Sequence, residues 1–145
     1  MSIRDTFSNM RTLMGVVPVA IGANGTITGL VKDRQGYGSV VIEILYGSVT
    51  TTGSVVTAVV KDGDVTGTMT SVADTYLNGT EALASLPAAT PRTAGTTKEV
   101  VKRIGYKGNK RYVSVDLVKT GVTSVGIVAA AINLHDPYLG NQANP

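Results

Sequence analysis

The sequence predicts an all-β protein: an antiparallel β-sandwich of about eight strands and, within that class, a jelly roll. Short runs rich in valine recur along the chain, and β-branched residues favour strands. Turn sequences rich in glycine, asparagine and aspartate separate these runs at short intervals. Apolar and polar residues alternate within several runs, which is typical of strands with one buried face.

The chain length and composition favour one domain with an aliphatic core. A chain of 145 residues without cysteine or tryptophan cannot use disulfides, so its stability depends on packing, hydrogen bonds or association. We expect three parts: residues 1–15 as an N-terminal arm or short helix, residues 16–137 as the sandwich, and residues 138–145 as a tail. Residues 74–97 interrupt the strand pattern, and we expect them to form a long projecting loop.

The N-terminal segment differs from the rest in its periodicity. Its apolar residues recur at helical spacing, and Ser2 with Asp5 fits a capping box, which predicts a short amphipathic helix. The alternative is an extended arm that orders against a neighbouring molecule. In both cases the apolar side chains form a candidate protein-interaction surface, which consists of Ile3, Phe7, Met10 and Leu13.

Eight runs from residue 16 onward are predicted strands. They are 16–21, 26–31, 39–47, 54–60, 65–72, 99–106, 111–118 and 124–134. Asn24-Gly25 and Asp62-Gly63 tolerate the backbone of tight turns, so each predicts a hairpin. Residues 107–110 predict a third hairpin, between the strands 99–106 and 111–118.

The side chains that catalysis or metal binding needs are scarce. His135 is the only histidine, and the sequence contains no nucleophile-elbow or phosphate-loop pattern. Asp62 and Asp64 alone do not make a calcium loop. We therefore expect no enzymatic activity, no cofactor and no metal. The N-terminus has no signal-peptide pattern, and no apolar run is long enough to cross a bilayer, so we expect no membrane association and no export.

A basic stretch stands out in a chain with little charge. Lys102, Arg103, Lys107, Lys110 and Arg111 lie around two glycines and two tyrosines. Three uses fit this pattern: a charged hairpin end that keeps edge strands soluble, a surface that binds nucleic acid, and a contact with an acidic patch on another protein. The net charge of +3 is modest and the basic stripe is short, which disfavours nucleic acid.

The C-terminal half carries a family resemblance. The string "VVKRIGYKGNKRYVSVDLVKTGVTSVGIVAAAINLHDP" contains the pattern R-x-G-Y-x-G-x-K-R-Y-V. It resembles small β-proteins encoded beside the major capsid protein of tailed bacteriophages, which look like jelly-roll capsid decoration or cement proteins. The resemblance runs from about residue 98 to 137, and the segments 36–47 and 59–64 support it.

The resemblance implies a virion structural protein that binds the outside of the capsid and stabilises it. The implied partners are the major capsid protein and neighbouring copies of the chain, as a dimer or trimer, on particles assembled in the host cytoplasm. Lys107, Lys110 and Arg111 are the candidate contact residues of the basic stretch. The alternatives are a tail or head–tail connector protein and, with less support, a nucleic-acid- or carbohydrate-binding module.

Overall fold

The computed structural model describes residues 6–48, 54–86, 100–122 and 126–138, and within them ten strands form two antiparallel sheets. Every predicted run overlaps one of these strands, and the two additional strands have only two residues each. The strands are β1 (Met10–Ile21), β2 (Gly25–Ile27), β3 (Lys32–Asp33), β4 (Tyr37–Tyr46), β5 (Val55–Val65), β6 (Thr68–Ser71), β7 (Leu77–Asn78), β8 (Val100–Tyr106), β9 (Tyr112–Thr120) and β10 (Gly126–Pro137).

The strand order confirms the predicted β-sandwich. The first sheet has the order β1-β10-β4-β8-β7, and the second has the order β2-β9-β5-β6. β3 also pairs with β9, so β2 and β3 occupy one interrupted position beside it. The main strands are thereby divided between two four-stranded layers, β1-β10-β4-β8 and β2/β3-β9-β5-β6, as in a jelly roll.

The core lies between the two sheets and is almost entirely aliphatic. Alternate residues of the central strands point inward and are at most 1% exposed, and burial of each valine, isoleucine or leucine among them contributes about 1.5–3 kcal/mol. The inward rows are Val40, Ile42 and Ile44 on β4; Val128, Ala130, Ile132 and Leu134 on β10; Val56, Ala58 and Val60 on β5; and Val113, Val115 and Leu117 on β9.

The segment between β2 and β3 approaches β9 very closely. The amide of Gly29 donates to the buried carboxylate of Asp116 (2.9 Å), which also forms an ion pair with Lys61 (2.6 Å). A Cβ on Gly29 would lie 2.0 Å from the carbonyl oxygen of Val115. Only glycine fits at this crossing, and its amide bonds the Asp116 side chain rather than the backbone of β9, so the pairing with β9 is interrupted between β2 and β3.

The predicted N-terminal helix is wrong from Met10 onward. Residues 6–9 form a turn, and β1 begins at Met10 rather than at residue 16. β1 pairs with β10 along its whole length, so tertiary hydrogen bonds and packing override the weak helical spacing. Residues 1–5, which include Ile3, lie outside the described residues.

The hairpin predicted at Asn24-Gly25 is also wrong, whereas β5 and β6 form the hairpin predicted near Asp62-Gly63 with its turn displaced along the chain. Asn24 and Gly25 connect β1 and β2, which lie in different sheets, so this turn carries the chain across the sandwich. Gly25 has the positive φ of 134° that such a turn needs. Asp62 and Gly63 lie inside β5, whose pairing with β6 has a register shift there, and the turn follows at residues 66–67.

The segment predicted to project packs against the sandwich over its described part, residues 74–86. A 3₁₀ turn, β7 and the short helix α1 (Glu81–Ala84) fill this stretch. Leu77, Ala84 and Leu86 are buried in the core, and this burial holds the segment down. Residues 87–97 lie outside the described part. No helix that the structure describes is long and apolar enough to cross a membrane.

Candidate functional site

The basic stretch forms a loop that joins the two sheets. β8 pairs with β4 and β7 in the first sheet, whereas β9 pairs with β5 and with β2 and β3 in the second. The predicted hairpin between β8 and β9 is therefore wrong. Ile104 and Tyr106 of β8 and the aliphatic row of β9 face the shared core from opposite sheets, which places residues 107–111 at one end of the sandwich. We call these residues the basic loop.

The ring of Tyr106 supports the basic loop from below. Its hydroxyl donates to Asp62 Oδ2 (2.7 Å) and accepts from the amide of Lys110 (3.1 Å). A Cβ on Gly108 would lie 2.4 Å from the tyrosine hydroxyl oxygen, so glycine is needed where the loop passes over the ring. Burial, together with the hydrogen bond to Asp62, raises the pKa of Tyr106 well above its ordinary value.

Arg34 clamps the basic loop to the β3–β4 connection. Its guanidinium donates to three backbone carbonyl oxygens: those of Lys110 (2.7 Å), Gly108 (3.0 Å) and Tyr37 (3.2 Å). The same group lies over the Tyr106 ring, 5.5 Å from its centre. The planar fork of arginine suits several fixed acceptors at once, so one side chain sets the path of the loop.

Two of the three candidate cations pair within the chain. Lys110 Nζ lies 2.5 Å from Asp64 Oδ2, and Arg111 makes a bidentate contact with Asp33, with Nη2 at 2.7 Å. The hydrogen bond from Arg111 lowers the pKa of Asp33, and the one from Lys110 lowers the pKa of Asp64. These aspartates neutralise much of the charge that the sequence displays.

Lys107 differs from the other two cations. Its side chain is exposed, and its backbone amide donates to the carbonyl oxygen of Tyr76 (2.9 Å), which fixes the start of the loop. Its ammonium makes no ion pair with any residue in the described part of the chain. Of the three cations predicted from the sequence to contact a partner, Lys107 is therefore the one whose charge is not paired with a carboxylate of the described residues.

The described apolar residues of the N-terminal candidate surface do not share one face. Phe7 is 75% exposed in the turn before β1. Met10 is opposite His135 on the outer side of the first sheet, whereas Leu13 points inward and packs on the core. Their helical spacing therefore does not give a common face, because strand alternation sends neighbouring positions to opposite sides.

Sequence reasoning missed three partners that build the basic loop: Arg34, Asp33 and Asp64. They lie 46 to 78 residues away from their partners along the chain, and no local pattern signals such contacts. The described residues contain no group of three histidine, cysteine, aspartate or glutamate side chains that could hold a metal ion. The basic loop is thus held by several side chains, with Lys110 and Arg111 paired to aspartates and Lys107 unpaired among the described residues, an arrangement that suits binding to a partner.

Comparisons with known proteins bear on the fold. No protein-family model matches the sequence, and a search of curated proteins finds no match. Among solved structures, the chain is similar to the PBSX exported protein XepA, at 12% identity, a TM-score of 0.54 and 92% coverage of this chain. It is also similar to the VP2 subviral particle of infectious bursal disease virus, at 9% identity, a TM-score of 0.55 and 91% coverage. The chain spans only 40% and 33% of those two proteins, so the likeness concerns the fold of one part of each.

Proposed function

We propose that this protein is a non-enzymatic virion structural protein that binds the outer surface of a capsid and reinforces it. The observation that carries the proposal is the complete jelly roll, a fold that viral capsid domains commonly use. The fold resembles that of the VP2 subviral particle, and the sequence of residues 98–137 resembles small phage β-proteins that look like decoration proteins. Fold likeness is supporting evidence and does not by itself define a role.

The construction of the loops suits such a role. A cement protein has to present a surface of fixed shape at many identical lattice positions, and modest contacts add up when they repeat. Arg34, Tyr106 and the two aspartate ion pairs fix the basic loop before any partner arrives. Because the loop is ordered in advance, binding costs less conformational entropy.

Purification of full heads that lack tails tests the proposal. We expect a stoichiometric band of this protein on such heads from the phage that encodes it, and density on the outer surface in an electron-microscopy map. A head stability assay should show earlier rupture when the protein is absent. Its presence on tails or at the portal only, with bare capsid faces, would replace this proposal with a tail or connector role.

Lys107 provides a residue-level test of the capsid contact. Lys107→Glu should lower the apparent affinity for heads by about two- to tenfold at low salt, since an exposed pair contributes about 0.2–1 kcal/mol and reversal adds repulsion. Lys119→Glu is the matched control, because Lys119 lies near the opposite end of β9. Glutamate at position 110 or 111 would also break an internal ion pair, so those variants are less informative. Equal effects of the two variants would contradict a contact through the basic loop.

A further inference from the structure

The outer face of the first sheet carries an apolar patch at the end of the sandwich where β8 and β10 begin. The patch consists of Leu45, Val101, Ile127 and Ala129, and the first three are 45%, 64% and 57% exposed. Ala129 is opposite Leu45, and Leu45 is opposite Val101, so these three form one continuous row across β10, β4 and β8. Exposed apolar patches of this kind mark interaction surfaces.

The sequence of β10 indicates that this face is covered. A strand with one wet face alternates apolar and polar residues, whereas a strand buried on both faces is apolar throughout. β10 contains the run "GIVAAAI" and presents Ile127, Ala129 and Ala131 outward. The outer face of the second sheet differs, since its outward residues include the paired Lys61 and Asp116.

A glutamate and an arginine border the patch and form no ion pair with each other. Glu43 and Arg103 are directly opposite on β4 and β8, one row beyond Leu45 and Val101. Glu43 Oε2 accepts from Asn133 Nδ2 (3.1 Å), which draws its carboxylate toward β10. Arg103 is exposed, and no carboxylate of the described residues pairs with it.

We propose that this face binds a second copy of the chain, with the two first sheets stacked face to face about a twofold axis. An axis that runs parallel to the strands, midway between β4 and β8, places β8 of one copy over β4 of the other. Residues directly opposite in one sheet then meet across the interface. Leu45 contacts the second copy's Val101, Glu43 contacts its Arg103, and symmetry repeats both contacts.

Charge favours this axis over the two neighbouring axes that run along β4 or along β8. An axis along β4 would stack Glu43 on its own symmetry mate, and an axis along β8 would do the same with Arg103, so both place like charges together. The midway axis replaces these repulsions with two ion pairs at the border of an apolar centre. Stacked sheets lie about 10 Å apart, a distance that side chains of this size fill.

Sedimentation of the purified full chain tests the dimer, independently of any capsid. We expect a concentration-dependent dimer in the wild type. Val101→Lys should raise the dissociation constant at least about tenfold, because symmetry removes the contact twice. Val65→Lys is the matched control: Val65 is 61% exposed, lies on β5 of the second sheet, and should leave the constant unchanged.

A charge swap tests the axis itself. Glu43→Arg alone and Arg103→Glu alone should each weaken the dimer, whereas the double variant should restore it toward the wild-type value. Far-ultraviolet circular dichroism confirms folding of each variant, since Glu43 also contacts Asn133. A wild type that stays monomeric up to about 1 mM, a dimer that survives Val101→Lys, or a charge swap that fails to restore the dimer would each overturn the proposal. Capsid binding with none of these dimer effects would leave the proposed function intact and refute the dimer.

Discussion

Arg34 offers the sharpest test of how the basic loop is held. Arg34→Ala removes three hydrogen bonds to carbonyl oxygens, of which those to Gly108 and Tyr37 are partly buried and that to Lys110 is exposed. Each partly buried bond contributes about 1–1.5 kcal/mol, the exposed one contributes little because water replaces it, and the contact with the Tyr106 ring adds about 0.5–1 kcal/mol. The free energy of unfolding should therefore fall by about 2–4 kcal/mol.

Urea denaturation followed by circular dichroism measures this loss, and the melting temperature should fall by roughly 6–12 °C. Arg34→Lys should lose nearly as much, because a lysine ammonium cannot serve three fixed acceptors in a plane. Lys107→Ala in the same loop is the control and should change stability by less than about 0.5 kcal/mol. The reasoning fails if Arg34→Ala costs under about 0.5 kcal/mol, or if Arg34→Lys is fully stable.

Three further changes test the fold. Gly29→Ala forces a Cβ against the carbonyl oxygen of Val115 and should cost about 3 kcal/mol or more, whereas Gly22→Ala, with no atom within 4 Å, should be nearly neutral in the same urea assay. Burial raises the pKa of Glu81, so the carboxylate form destabilises the fold, and the free energy of unfolding falls as pH rises through the raised pKa. The stability of Glu81→Gln relative to wild type should therefore be higher at pH 7 than at pH 4. A stability difference that does not change with pH would contradict this. Deletion of residues 2–14 removes nearly half of β1 together with its pairing to β10. The truncated chain should therefore unfold at a markedly lower urea concentration or fail to fold. Unchanged stability would show that this part of β1 does not stabilise the fold.

The sequence by itself determined where most strands lie and, for β9, which side faces the core. Val113, Val115 and Leu117 illustrate this, since alternation places them on one side of β9 and all three are buried. Alternation is a local property, because successive side chains of an extended chain point to opposite sides whatever the strand pairs with. The aliphatic composition and the turn residues then suffice to predict a sandwich.

Only the tertiary structure decided which strands pair and what the basic stretch does. A glycine turn looks alike whether it closes a hairpin or carries the chain between sheets, so residues 107–110 could not reveal that β8 and β9 lie in opposite layers. Charge is equally ambiguous in sequence, because Arg111 and Asp33 are 78 positions apart and meet only when the chain between them has folded. Long-range pairing depends on the total burial that the whole chain achieves, and no local segment contains that information.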